Sequence, residues 1–216
     1  GSIGTISAIA SFSLILVSFS SIEISQGMKR FISKDAAEGK WSEFKEKTTS
    51  SLIFSFLSSG GILIIAVNPF LDIFEIIGID KQFVTIVIIM VFSVGIQQIS
   101  SSVLVSALKS KWLFIPTTIS YFIRIPLLFF FLIILEPEAS VAWSYSLSFL
   151  AITIIIFIIV LVFLKTKEDS FINNTKSNLS LILKASFPRW LPTVISVIGT
   201  NIGILVVVSI KGTAEG

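Results

Sequence analysis

Six long stretches of apolar, almost uncharged residues restrict what this sequence can fold into. They lie near residues 4–24, 50–68, 83–106, 113–134, 141–164 and 188–210. Each is close to or above the roughly 20 residues that an α-helix needs to cross a bilayer. They do not alternate as the short strands of a membrane barrel do, and backbone groups in hydrocarbon must be satisfied within the segment. The sequence therefore predicts an all-α membrane protein with six transmembrane helices.

The composition excludes several classes of function. Charged residues make up 13% of the chain, about half the usual share in a soluble domain. The chain has no histidine and no cysteine, which removes the usual general base and the thiol nucleophile. It also lacks a phosphate-binding Walker motif and a basic stripe interleaved with aromatic residues. We therefore predict that it is not an enzyme, and that it binds no cofactor, no metal ion and no nucleic acid.

The basic residues are distributed unevenly among the connections. Every second connection carries the Lys and Arg residues, whereas the others hold only Lys81 and Lys211. The basic connections contain Lys29, Arg30, Lys34, Lys40, Lys45, Lys47, Lys109, Lys111, Lys165, Lys167, Lys176, Lys184 and Arg189. The positive-inside rule places these connections in the cytoplasm and both chain ends outside the cytoplasmic membrane. Since a natural chain that starts outside usually has an earlier helix or a cleaved leader, we expect at least one further helix before this segment, and more helices after it.

One cation lies in the middle of an apolar stretch. Arg124 interrupts the fourth stretch, at a cost of about 2.5–3.5 kcal/mol that the apolar neighbours offset at about 0.3–0.6 kcal/mol each. Pro126, two residues later, predicts a kink in the helix. Arg124 needs a partner or a water-filled cavity. Two interpretations remain open: a cationic contact for an anionic substrate, or a structural ion pair or hydrogen bonds to carbonyl groups.

Other polar residues are weaker candidates. Glu23 is either a site for ion coupling or an interfacial partner of Lys29 or Arg30. Arg30 could bind phosphate oxygens in a bidentate fashion, or could simply follow the positive-inside rule. Gln97 and Asn201 either form hydrogen bonds between helices or face a sugar.

Local patterns predict some packing features. Residues 34–47 mix charged and aromatic side chains, which predicts a helix on the membrane surface with an ion pair between Glu43 and Lys47. Small residues permit helices to approach closely, and we expect such approaches at two pairs: Gly60 with Gly61, and Gly199 with Gly203. Tryptophans near the predicted interfaces are expected to anchor the helices there; they are Trp112, Trp143 and Trp190.

Two stretches resemble a known family. They are SIEISQGMKRFISKDAAEGKW (21–41) and ASFPRWLPTVISVIGTNIGILVVVSIKGTAEG (185–216). Both are similar to the polysaccharide-biosynthesis flippases of the multidrug, oligosaccharidyl-lipid and polysaccharide export superfamily. That resemblance implies part of a two-lobed, MATE-like transporter of 12–14 helices. Residues 1–164 would form five helices of the amino-terminal lobe without its first helix, 165–187 a cytoplasmic inter-lobe linker, and 188–216 the first helix of the second lobe.

The resemblance also implies a function. The full-length protein would flip a polyprenyl-linked oligosaccharide across the cytoplasmic membrane by alternating access. Its partners would be that lipid, the membrane lipids and the remaining helices of the same polypeptide. Arg30, and also Arg124, would contact the anionic head group, while Glu23 stands where relatives often have Gly. A drug or metabolite exporter of the same superfamily and a non-transporting membrane scaffold remain as alternatives.

Overall fold

The structure, a computed structural model, describes residues 2–68, 73–77, 79–166 and 175–214. Within these ranges the chain forms helices and no strand. The α-helices are α1 (Ser2–Ser21), α2 (Ile24–Ala37), α3 (Trp41–Ala66), α4 (Ile73–Ile77), α5 (Val84–Ser106), α6 (Lys111–Ile134), α7 (Pro137–Lys165) and α8 (Thr175–Ala214). A short 3₁₀ turn, Lys81–Phe83, leads into α5.

The number of membrane-spanning segments agrees with the sequence. Five of the described helices are long and apolar enough to cross a bilayer: α3, α5 with its 3₁₀ turn, α6, α7 and α8. Helices α1 and α2 pass the same test together, although the chain bends by 52° between them. The described helices thus provide five candidate spans, and six where the bent pair is counted as one broken span. The prediction of an all-helical, multi-pass membrane fold is therefore confirmed.

The first predicted helix is not continuous. Ile22 (φ 45°) and Glu23 (φ 52°) both adopt the left-handed region, which residues with a Cβ rarely occupy. They end α1 at Ser21 rather than at residue 24, and α2 starts in a new direction.

The predicted surface helix over 34–47 is also wrong. Gly39 (φ 71°) reverses the chain after α2, and α3 begins at Trp41, nine residues before the predicted span.

The buried apolar residues form two clusters, one at each end of the bundle. One cluster includes Phe12 of α1, Leu63 of α3 and Val87 of α5. The other joins the ends of the helices that the basic connections link, and includes Ile32 and Phe44. Because successive helices alternate in direction, the connections rich in Lys and Arg meet at this second end, which we call the basic end.

Helices α6 and α8 occupy exposed positions. Helix α6 packs mainly on α7, whereas α8 runs along α1, α2 and α3. The described part of α8 already begins at Thr175, inside the stretch predicted as a linker. The preceding part of that predicted linker, residues 167–174, lies outside the described residues.

Close helix contacts occur at glycines other than the predicted ones. A Cβ on Gly95 would lie 3.1 Å from Ser55 Oγ, where α5 crosses α3. No described atom lies within 4 Å of a Cβ built at Gly61, Gly199 or Gly203, and at Gly60 the nearest is 4.0 Å away. These glycines permit a close approach, but no described helix makes one there. A small residue permits a close contact between helices, but the contact forms only where a neighbouring helix packs against that residue.

Candidate functional site

The backbones of α2 and α8 approach each other closely at Gly27. A Cβ on this buried residue would collide with the Ser186 hydroxyl and would lie 2.9 Å from the Ile182 carbonyl oxygen. The Ser186 hydroxyl is already engaged, since it donates to the same carbonyl (2.9 Å). Only glycine fits here, and α2 is therefore held directly against α8.

Two further contacts fix α8 relative to the other helices. Nε1 of Trp190 donates to the carbonyl oxygen of Ser18 (2.9 Å), which belongs to the last turn of α1, where carbonyls have no donor within the helix. Nearer the start of α8, the Asn178 amide donates to Glu46 of α3 (3.2 Å). Trp190, which the sequence predicts as an interfacial anchor, thus also caps the helix end that precedes the bend.

A polar cleft lies between α2 and α8 at the basic end. Its volume is about 500 Å³. Phe31 of α2 lines one side, and Ser177, Ser180 and Lys184 contribute the polar groups of α8; Leu181 and Ala185 complete the lining. The three polar residues of α8 are spaced three and four apart, which places them on one face of the helix. We call this feature the α2–α8 cleft.

Lys184 is the one charged side chain among the described residues that line the α2–α8 cleft. The sequence of α8 from Thr175 to Ala214 contains no acidic residue, whereas Lys184 is exposed within the cleft. Arg30 is also exposed, and it shares a face of α2 with Gly27 three residues earlier. Arg30 directly precedes Phe31, which lines the cleft, so Arg30 lies beside the cleft rather than among its lining residues. The arrangement favours an anionic ligand with hydroxyl groups.

Arg124 has a different environment. It is half-buried between α6 and α7, where its Nε donates to Ser148 Oγ (3.2 Å). Its guanidinium lies 4.5 Å from the ring centroid of Tyr145 and 5.5 Å from that of Tyr121, within cation–π range. The predicted ion pair and carbonyl contacts are not found among the described residues. The two terminal nitrogens of Arg124 form no hydrogen bond there either.

The structure does not bring all the sequence candidates together. Arg30 lies on α2, which packs mainly on α3, α8 and α5, whereas Arg124 lies on α6, which packs mainly on α7. Glu23 is half-buried at the start of α2, and its carbonyl accepts bonds from the backbone of Gln26 and Gly27. Within the described ranges its side chain makes no ion pair with Lys29 or Arg30, and its role in ion coupling stays a prediction.

The two neutral polar candidates also lie apart. Gln97 is half-buried on α5. The Asn201 amide donates within α8, to the Val197 carbonyl (2.8 Å) and to Thr200 Oγ1 (3.1 Å). These bonds keep the amide on its own helix rather than on a neighbouring one. Contact with a sugar stays a prediction for both residues.

A buried ion pair that the sequence does not predict joins α2 and α3. The Glu43–Lys47 pair is confirmed (3.1 Å), but Lys47 also contacts Asp35 of α2 at 2.7 Å. The side chains of Lys47 and Asp35 are only 11% and 6% exposed. Gly39 offered a signal, because a reversal there forms a helical hairpin that brings residues on either side together.

The fold defines an all-helical, multi-pass membrane protein with a positively charged cleft at one end. Comparison with protein families gives the more specific assignment. The MatE family model matches residues 2–130, which is more than half of the chain and extends from α1 into α6. The chain belongs to the MatE family, whose members are membrane transporters rather than enzymes. No curated protein and no solved structure matches the chain.

Proposed function

We propose that this protein translocates a polyprenyl-linked oligosaccharide across the cytoplasmic membrane by alternating access. The observation that carries the proposal is the α2–α8 cleft, which combines the exposed ammonium group of Lys184 with serine hydroxyls and has Arg30 beside it. A lipid-linked oligosaccharide presents phosphate groups and sugar hydroxyls at the membrane surface, and its carrier is apolar. Arginine matches phosphate oxygens in a bidentate fashion, and lysine supplies a point charge. The cleft offers both kinds of contact next to the bilayer.

The position of the cleft suits a transport cycle. We assign α1–α7 to the amino-terminal lobe and the helix that follows, α8, to the second lobe. The cleft then lies between the lobes, at the basic end of the interface whose midplane region holds the substrate site in transporters of this general design. Rocking of one lobe against the other would open and close it. Arg124, with two terminal nitrogens free of hydrogen bonds to described residues, remains a predicted second contact for the anionic head group.

The test is a set of charge removals in the full-length protein. Arg30→Ala and Lys184→Ala should each strongly reduce surface glycan at unchanged protein levels, because Lys184 is the cation of the cleft and Arg30 is an exposed cation beside it. Arg189→Ala is the matched control, since Arg189 is an exposed cation of α8 that lies about one turn beyond Ala185, the last residue of α8 that lines the cleft. Normal glycan display in both cleft variants would contradict the proposal. Loss of drug efflux instead would favour the exporter alternative.

The orientation is a separate part of the proposal. We place the basic end in the cytoplasm, since every connection rich in Lys and Arg meets there. Lys40→Cys and Glu136→Cys report on opposite ends of the bundle, and both positions are exposed. An impermeant thiol reagent applied to intact cells should label Glu136→Cys and not Lys40→Cys. The reverse pattern would overturn the orientation.

A further inference from the structure

An apolar groove lies at the basic end, away from the α2–α8 cleft. It is formed where α5 ends, α6 begins and α7 ends, and its volume is about 310 Å³. The apolar lining residues are Leu104, Ile158, Ile159, Val162 and Phe163; Lys109 and Trp112 complete it. This volume is at the lower limit of small-molecule sites. It suits part of a lipid chain rather than an oligosaccharide.

The connection between α5 and α6 shapes the groove. The Lys109 amide donates to the Leu104 carbonyl oxygen (2.8 Å) and the Trp112 amide to the Lys109 carbonyl oxygen (2.9 Å). Leu108, which directly precedes Lys109, adopts φ 55°, and it is 90% exposed. A leucine in this region of φ is strained, and here it projects from the bundle beside the basic groups. Such an exposed apolar side chain fits insertion among lipid chains.

The groups at the groove have the chemistry of a membrane interface. Trp112 is 46% exposed, and tryptophan favours the level of the lipid head groups. Lys109 and Lys111 are exposed on either side of Ser110. Lysine side chains near the membrane surface attract anionic lipids. Ile158 and Val162 of α7 continue the apolar wall and are both more than half exposed.

We propose that this groove binds an anionic glycerophospholipid of the bilayer. An acyl chain of the lipid packs against Ile158, Ile159 and Val162. Lys109 contacts the head-group phosphate, and the Trp112 ring lies beside that phosphate. Two observations specify this occupant. The groove adjoins membrane-spanning helices, and the cations accompany an aromatic side chain at its rim. The site does not depend on the substrate assigned to the α2–α8 cleft.

The experiment titrates the full-length protein with phosphatidylglycerol and with phosphatidylcholine of the same chains, using native mass spectrometry. Phosphatidylglycerol should bind more tightly. Lys109→Gln should weaken its binding by about fivefold, the usual effect of one lysine near a membrane surface, and should leave phosphatidylcholine unaffected. Lys111→Gln is the matched control, because it removes the same charge two residues away without altering the lining. Its effect should be less than twofold.

Ile159→Trp tests the groove itself. The larger ring should fill the space and reduce phosphatidylglycerol binding, and Val162→Trp repeats the test at an exposed position that is easier to accommodate in the fold. Equal losses in Lys109→Gln and Lys111→Gln would indicate diffuse attraction and overturn the proposal. Unchanged binding in both tryptophan variants would do so as well. Tighter binding of polyprenyl phosphate than of phosphatidylglycerol would assign the groove to the carrier lipid instead.

Discussion

The buried ion pair between Asp35 and Lys47 allows a quantitative test of how α2 is held to α3. Lys47→Met leaves the Asp35 carboxylate buried without its cation. Removing one partner of a buried pair costs about 3–5 kcal/mol. Asp35→Asn should cost less, about 1–3 kcal/mol, because Lys47 keeps Glu43 at 3.1 Å, and Glu43 is 55% exposed. Lys47→Met should therefore lower the free energy of unfolding more than Asp35→Asn does.

A double variant separates the stabilising effect of the ion pair from the effect of burying each charge alone. Asp35→Leu combined with Lys47→Met replaces both charges by apolar groups. Such replacements of a buried pair are often neutral or stabilising, so we expect the double variant to unfold near the wild-type free energy. The measurement is unfolding of the full-length protein in mixed micelles, by titration with a denaturing detergent. The two single losses should not add.

A matched control lies a few residues away. Lys40 and Glu38 are also 2.7 Å apart, but their side chains are 53% and 38% exposed. The hydrogen bond from Lys40 lowers the pKa of the Glu38 carboxyl, so this contact is present at neutral pH and is lost as the pH falls through that pKa. Exposed pairs contribute little, and Lys40→Met should leave the unfolding free energy unchanged. The reasoning would be refuted if Lys47→Met changed the unfolding free energy no more than Lys40→Met does. It would also be refuted if the loss in the double variant equalled the sum of the two single losses.

Three further predictions concern contacts between helices, and the same unfolding measurement checks each. Gly27→Ala should cost about 1–3 kcal/mol because the new methyl meets α8, whereas Gly61→Ala, with no described atom within 4 Å, should cost nothing. Trp190→Phe removes the bond to the Ser18 carbonyl and should cost about 0.5–1.5 kcal/mol. Tyr145→Leu removes the closer ring from Arg124 and should cost about 0.5–2 kcal/mol. If one of these three variants unfolds at the wild-type free energy, the contact that it removes does not stabilise the protein as described.

The sequence was informative about spans because their signal is local. A run of about 20 apolar residues has few structural options in a bilayer, and the described helices follow those runs. The bend at Ile22 and Glu23 has no such signal. Neither residue is a glycine, so the left-handed backbone there depends on what surrounds the chain. Packing of α2 against α8 at Gly27 is one such constraint, and it links residues that are far apart in sequence.

The candidate site was predicted in part for the same reason. Charge inside an apolar stretch is visible in the sequence, which is how Arg124 was found. Its partners Tyr145 and Ser148 are not visible, because a contact between α6 and α7 depends on how the helices are rotated. Asp35 and Lys47 were missed because they become neighbours only after the chain reverses at Gly39. Lys184 was counted as one of the basic residues of a connection, and the helix that directs it into the cleft begins at Thr175.

The environments of the two arginines imply different roles. Arg124 has its Nε on Ser148 and its guanidinium near two tyrosine rings, so its charge is fixed between α6 and α7. Arg30 is exposed next to Phe31, which lines the α2–α8 cleft, and there its charge can exchange water for a ligand. We therefore expect Arg30→Lys to retain part of the transport activity through its charge. Arg124→Lys should instead lower stability, because lysine lacks the planar group that donates from Nε while it stacks on Tyr145. Comparing glycan display with unfolding free energy in these two variants separates the roles, and a purely structural loss at Arg30 would contradict the assignment of the cleft.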